Sequence, residues 1–432
     1  MNKYQRNTTS ATTAVLPEAV SVVMAELAGD VQEGLLAMAV GTGLQVMAAM
    51  MNADVEAVCG PRGKHDPART VTRHGSEDGS VTLGGRRVPV TRPRMRATDG
   101  SGELPVASYE LFSCTEVLGR MAMHRMLAGL STRRYPVGLE PVGRKVEASA
   151  RSTSKSAVSR RFVAATETAL AELLSADLSG LDLVALLIDG VHFGDHLCVV
   201  ALGIGIDGVK HPLGLAEGST ENTSVVTDLL TGLRDRGLDT TRPIFVGIDG
   251  GKALRAAVVR VLDHPVIGRC QLHKLRNVAD KLPDHLASTV TKRMRAAYHA
   301  ESALIAQAQL EALAKELERT HPGAAGSLRE GLAETLTVLR LGVSPTLART
   351  LRSTNSIESM ISIARNHSQN VKNWQNGTMA LRWCAAGMIE ARGQFRRVNG
   401  HLHLPALRAA LEEHAAAETV GAARHDDNVI AA

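Results

Sequence analysis

Two aspartates, each at the end of an unbroken apolar run, are the residues whose type and context best suit chemistry. LDLVALLID leads into Asp189 and PIFVGID leads into Asp249. Runs of this kind read as strands buried on both faces, and ligand sites of open α/β sheets gather at the carboxyl ends of such strands. Two carboxylates brought together there repel unless a cation lies between them. Magnesium, a hard ion that takes oxygen ligands, suits the pair. A third carboxylate, Glu358, would come from a helix packed against the same edge. Each residue also has a plainer reading: Asp189-Gly190 as a turn, Asp249 as a helix cap before Gly250, and Asn355 with Glu358 as a capping box.

Other motifs are weaker. VGIDGGKAL places Gly251-Lys252 after a strand, but a phosphate-binding loop needs Gly five residues before that Gly and Ser or Thr after the Lys. Those positions hold Val246 and Ala253, so an ATPase reading fails. Cys270 and His273 form a lone Cys-x-x-His pair. Zinc asks for four ligands, and no second pair lies at suitable spacing. No Ser-His-Asp arrangement stands out.

The elements that must position these residues follow from periodicity and turn chemistry. Pro17 to Val58 carries apolar residues at helical spacing. The Gly/Pro-rich loop CGPRGKHDPART follows, and then SVTLGGRRVPVTRPRMR, whose alternation around Gly84-Gly85 signals a hairpin. Its Arg86, Arg87, Arg92 and Arg94 would lie along a phosphate backbone, with simple solvation as the alternative. The stretch EVLGRMAMHRMLAGLSTRRY reads as a helix ending at Gly129, with a new start capped by Ser131 or Thr132. Another helix begins after caps at Ser152 to Ser154. Short helices with tight turns, carrying Arg133, Arg134, Lys155, Arg160 and Arg161, suggest a helix-turn-helix unit whose last helix enters a major groove; a small basic bundle is the alternative. From Leu181, three strands form a meander, the second and third joined at Asp207-Gly208. Helix, strand, helix and strand follow, the order of a ribonuclease H-like fold. From His273 to about Leu341 the chain reads as helical, and a final helical region from about Asn355 carries Glu358.

Bulk properties agree with a multidomain protein that meets a polyanion. The chain has 432 residues, too many for one compact core. Only 3% are aromatic, which favours cores of Ala, Val, Leu and Met in helices. Net charge is only +5, but it is clustered: nine Lys/Arg against three acids between Arg62 and Arg96, ten against two between Arg120 and Arg161, nine against two between Arg340 and Arg397. Five scattered Cys argue for a reducing compartment. The most apolar run, Leu35 to Met51, is interrupted by Gly, Thr and Gln, so neither a signal peptide nor a membrane span is expected, and a cytoplasmic, nucleoid-associated protein is.

With these segments in view, the sequence resembles the Mutator-type family of bacterial insertion-sequence transposases. LLIDGVHFGDH, ALGIGIDGVKHPLGLAEGSTEN, VGIDGGKAL, GRCQLHKLRNV and TNSIESMISIARNHSQNVKNW carry the likeness, as do CGPRGKHDP, VTLGGRRVPVTRPR and LSTRRY in the amino-terminal half. It extends from about residue 17 to 413 with the motifs in family order. The resemblance implies a ribonuclease H-like α/β core with an all-α insertion, preceded by a mainly helical DNA-binding region with a small β-hairpin. The family's acidic triad maps onto Asp189, Asp249 and Glu358, spaced 60 and 109 positions apart, and its Cys-x-x-His motif onto Cys270 and His273. The implied chemistry is two-metal phosphoryl transfer with Mg2+, for which Mn2+ would substitute: cleavage at terminal inverted repeats, then joining of the 3′-hydroxyl to target DNA. Lys252, Arg365 and Lys372 would add DNA contacts. The partner is double-stranded DNA, with at least a dimer on it, and no membrane. The expected division is a disordered tail at 1–15, N-terminal helices and basic hairpin at 16–115, and a helix-turn-helix-like region at 116–178. The core occupies 179–272 and 346–413, the insertion 273–345, and a tail 414–432. A nuclease that never joins ends, or a DNA-binding regulator without catalysis, are the competing classes.

Overall fold

The computed structural model describes the backbone from residue 18 to 430 apart from residues 65, 219 and 221, and side chains from 34 to 417 apart from those three and residues 37 and 145. The tail expected at 1–15 lies outside the described residues. The chain divides into two compact units, one of residues up to 125 with 130–162, the other of 126–129 with 163–432.

The first unit holds α1 (Glu18–Cys59), the strands β1 (Val71–Leu83), β2 (Arg86–Ala97) and β3 (Glu103–Leu104), and α2 (Ala107–Ser113). It also holds most of α3 (Glu116–Leu127), the short α4 (Arg144–Ser149) and the start of α5 (Lys155–Ser175). The strands form one antiparallel sheet in the order β1-β2-β3. At the hairpin Leu83 pairs Arg86, and Gly84 and Gly85 both have positive φ, 53° and 78°. Two consecutive left-handed residues match the strand twist, and glycine takes them without a Cβ penalty. β1 starts nine residues earlier than the alternation around Val81 indicates; its polar stretch from Arg73 to Gly79 is held by the ladder to β2, with a register shift between Arg73 and Ser76. Met51, Val55 and Cys59 of α1 pack with Val71, Met95 and Val106. Among the described residues, one helical segment, Gly34–Cys59, is long and apolar enough to cross a membrane by length and composition. After α3 the chain turns at Gly129 (φ 93°). The segment after Ser131 forms a turn and a 3-10 helix at Tyr135–Gly138 rather than the new α-helix expected there; Pro136 has no N–H for an α-helical bond. Ser154 Oγ accepts from Ala157 N at 3.3 Å at the start of α5, as the sequence indicates.

The second unit is built on a five-stranded mixed sheet in the order β6-β5-β4-β7-β8. β4 (Leu183–Phe193), β5 (His196–Gly205) and β6 (Lys210–Gly218) are antiparallel neighbours, while β7 (Ile244–Ile248) and β8 (Pro265–Arg269) run parallel to β4. Alternate residues of β4 face opposite layers. Leu186 and Ile188 join a core with α6 (Thr223–Asp235) and α7 (Lys252–Val261). Leu187, Val191 and Phe193 join a core with helices from the carboxyl-terminal part. Between the two parts lie α8 (Gln271–Ala279), α9 (Asp284–Ala297), α10 (Ala303–Glu318), α11 (Pro322–Arg329) and the short α12 (Leu332–Thr335) and α13 (Thr337–Arg340), most of them around a separate core. α14 (Pro345–Leu351), α15 (Asn355–His367), α16 (Gly377–Arg392) and α17 (Leu404–Ile430) complete the chain. Residues 414–430, expected as a tail, continue α17.

One expectation about the strands is corrected. Asp189 is not the last residue of its strand, nor is Asp189-Gly190 a turn. β4 runs on to Phe193, because Gly190 to Phe193 pair with Val199 to His196 of β5. What ends near Asp189 is the parallel pairing with β7, which reaches only Leu187 and Gly247.

Candidate active site

Register alone brings the two aspartates together. Leu187 pairs Gly247 across β4 and β7, so Asp189 and Asp249 lie two residues further along adjacent parallel chains, on strands that run about 4.8 Å apart. Both share the parity of Leu187 and Gly247, which faces the layer containing α15. Ile248 pairs Arg269 on β8, so Asp249 is level with Cys270, whose N–H donates to Ile248 O at 2.8 Å. α15 packs on this face through Ile357, Met360 and Ile361, which share a core with Leu187 and Val191. Glu358 lies in its first turn. α16 supports α15 closely: a Cβ at Gly387 would stand 2.6 Å from Ala364 Cα, so only glycine permits this approach without a shift.

The local hydrogen bonds refine the plainer readings. Asp189 Oδ1 accepts from Gly190 N at 2.8 Å, and Asp249 Oδ1 from Gly251 N at 2.9 Å. Asp249 thus shapes the turn into α7, whose cap position is Gly251. The capping box is not formed. Thr354, not Asn355, is the N-cap of α15, and its hydroxyl donates to Glu358 Oε1 at 2.6 Å. Thr354 is a functional candidate the sequence reading missed. Its signal was the Thr-x-x-x-Glu spacing, which places two side chains on one helical face.

Burial lifts the Asp189 carboxyl to about 6 against the Gly190 hydrogen bond, and the charges of Asp249 and Glu358 push the same way. His273 is raised to about 9, by its hydrogen bond to Cys270 against burial, with help from Glu358 and Asp189. Burial pushes the Cys270 thiol up, but hydrogen bonds from His273 and Thr354 outweigh it and leave the thiol below its ordinary range. Because the folded protein raises the Asp189 pKa above its unfolded value of 3.8, ionised Asp189 costs stability. That cost is absent below the unfolded value and complete above about 6. Asp189→Asn therefore stabilises the chelator-treated protein at pH 8 by about 1–2 kcal/mol after solvent screening, a few degrees in melting temperature. The gain fades as pH falls to 4. Thermal melts across that range check it; a gain that grows on acidification would refute the charge argument.

Cys270, His273 and Glu358 each offer a ligand atom within 4.8 Å of the others. Beside them, a cavity of about 240 Å³ is lined by Arg295, His299, Arg349 and Arg352 together with Gln271 and Asn355. This cationic pocket was also missed, since its members come from α8, α9 and the turn after it, α14, the residues between α14 and α15, and the start of α15.

The residues expected to meet DNA divide into two sets. Four arginines of the β1–β2 ribbon are engaged within the protein. Arg86 is 2% exposed and donates to Gly84 O, Glu140 O and Glu147 Oε1. Arg87 bonds Ser80, Thr82 and Ser113. Arg92 pairs with Glu77 and stacks over Tyr109, and Arg94 pairs with Glu77 and Glu103. Arg161 is half-buried and donates to Ser152 O at 2.7 Å. By contrast Arg133, Arg134, Lys155, Arg160, Lys252, Arg365 and Lys372 are exposed. Lys252 opens α7, three residues beyond Asp249.

Comparison with known proteins gives a consistent result. The family model described as "Transposase, Mutator family" matches residues 14–397. A probable transposase for an insertion sequence element of Corynebacterium diphtheriae is 29% identical over 212 residues, 48% of this chain and 61% of the relative. The chain thus spans about three fifths of that relative's length. The transposase for insertion sequence element IS6120 of Mycolicibacterium smegmatis is 28% identical over 237 residues, 54% of this chain and 72% of the relative. The longest of the three alignments, to the transposase for insertion sequence element ISRM5 of Rhizobium meliloti, is 24% identical over 366 residues, 84% of this chain and 90% of the relative.

Proposed function

The chain belongs to the Mutator family of transposases, and from that premise we propose that it cleaves the ends of an insertion sequence and joins them to target DNA by metal-dependent phosphoryl transfer. The reading rests on the β4–β7 register, which puts Asp189 and Asp249 on adjacent strands, and on the charges of Asp249 and Glu358, which add to burial in raising the Asp189 carboxyl while His273 opposes them. A sheet ordered 3-2-1-4-5, with its first three strands antiparallel and the last two parallel to the first, supports a ribonuclease H-like core interrupted by an all-α insertion.

The donor set fits hard divalent cations. Oxygen ligands alone suit magnesium, with manganese as substitute, and a buried carboxylate pushed up to about 6 signals a site that a cation would relieve. Asp189, Asp249 and Glu358 would hold two ions, which when bound supply Lewis-acid activation of the attacking oxygen and stabilisation of the leaving oxygen. Asp189 is held by the ladder of β4 to β5, Asp249 by its bond from Gly251 N at the turn into α7, and the Glu358 carboxylate by the Thr354 hydroxyl. Arg295, Arg349 and Arg352 present positive charge for strand phosphates beside that carboxylate. Exposed Arg133, Arg134, Lys155 and Arg160 of the first unit would give salt-sensitive contacts to the terminal repeats. Two ends cut in concert need two such sites, hence a dimer or larger assembly on DNA.

The test offers the protein labelled, pre-cut element ends, a target plasmid and Mg2+. Covalent linkage of label to plasmid is expected. Cleavage of intact ends with no linkage would leave a nuclease, and end binding with neither reaction would leave a regulator.

A further inference from the structure

The Cys-x-x-His pair, which in sequence lacks further ligands, acquires one in the fold. Cys270 follows β8 and is buried, His273 lies in the first turn of α8, and Glu358 reaches them from α15. Their ligand atoms lie within 4.8 Å of one another, so a small closure brings all three onto one ion. Thiolate, imidazole and carboxylate are zinc ligands, and three protein ligands with a fourth position for water is the pattern of an open zinc site. Thiolate and imidazole select against magnesium, which takes oxygen. Thr354 adds outer support, its hydroxyl 2.6 Å from Glu358 Oε1 and 3.5 Å from His273 Nδ1; such outer partners orient metal-binding side chains.

We propose that Cys270, His273 and Glu358 form a binding site for a single zinc ion that competes with magnesium for Glu358. The binding itself follows from the three ligands. Only the competition rests on the transposase reading. A carboxylate bound to zinc beside a thiolate is withdrawn from the pair of aspartates, so zinc switches strand joining off while magnesium is present.

The test begins with Co2+ titration of the full-length, metal-free protein, because cobalt replaces zinc and a cobalt–thiolate bond absorbs in the near ultraviolet. One equivalent is expected to saturate the band. Cys270→Ser is expected to abolish it, and His273→Gln to weaken Co2+ binding by roughly tenfold or more, since loss of outer partners alone costs that much. Cys114→Ser, which alters the exposed cysteine, should leave the band intact. Excess Mg2+ should not displace cobalt. Absence of the band, or a band that survives Cys270→Ser in a variant melting like the wild type, overturns the site. Zn2+ is then added to the joining assay, where wild-type joining should fall at about one equivalent. Undiminished joining with zinc demonstrably bound overturns the competition. A chain that joins no DNA at all would instead sink the transposase reading, and the cobalt spectrum would still decide the zinc site.

Discussion

Asp249→Asn lowers the rate of strand joining by roughly a thousandfold or more, about 4 kcal/mol of transition-state stabilisation. The substitution preserves size and the oxygen that accepts from Gly251 N, so the turn into α7 survives while the charge that would bind a cation is lost. Asp189→Asn should behave alike, since its amide oxygen still accepts from Gly190 N. Binding of labelled element ends, measured by gel shift in chelator, should stay within about twofold, because the exposed cations proposed to meet phosphate are elsewhere. Joining by Asp249→Asn at the wild-type rate would remove this residue from the reaction. Loss of binding together with joining would assign it a structural role. The same assay with Thr354→Val asks whether the hydroxyl on Glu358 positions that carboxylate.

Arg269→Met lowers the stability of the second unit by about 3 kcal/mol. Arg269 closes β8, is 8% exposed, and donates through Nε to Glu334 Oε2 at 2.5 Å. Glu334 on α12 also accepts from Arg255 of α7, so one carboxylate ties the insertion to the sheet and to the helix after Asp249. The packing is close: Gly331 adopts φ +61°, and a Cβ there would meet the Arg269 guanidinium at 2.2–2.3 Å. Removing Arg269 leaves the largely buried Glu334 carboxylate with only the exposed Arg255 as its partner, which is where the cost arises. Burial pushes the Glu334 carboxyl up, but hydrogen bonds from Arg255 and Arg269 outweigh it and hold it below its usual range. A depressed carboxyl contributes stability that is present above its unfolded pKa and lost as pH falls through the folded one. The penalty of Arg269→Met should therefore shrink on acidification below about pH 4. At neutral pH the melting temperature should fall by about 6–12 °C, against little change for Arg260→Met on the exposed face of α7. Equal melting temperatures for the two variants would show that the pair does not anchor the insertion.

The sequence by itself determined the existence of the main strands and their turns, and it put forward the carboxylates. Unbroken apolar runs can only be buried on both faces, Gly84-Gly85 and Asp207-Gly208 can only turn, and caps such as Ser154 act within a few residues. These are local properties, carried by backbone sterics and period. What the tertiary structure decided is non-local. The extension of β4 past Asp189 depends on pairing with β5 rather than on its own residues. The ribbon arginines looked free to meet phosphate, yet Glu77, Glu103, Glu147 and main-chain carbonyls engage them, and such partners cannot be seen from spacing. Thr354 became a partner of Glu358 only once α15 was oriented. The third ligand for Cys270 and His273 stands 85 positions after His273. A site assembled from a strand end and two helices exists only when packing closes those distances, and no short-range rule encodes it.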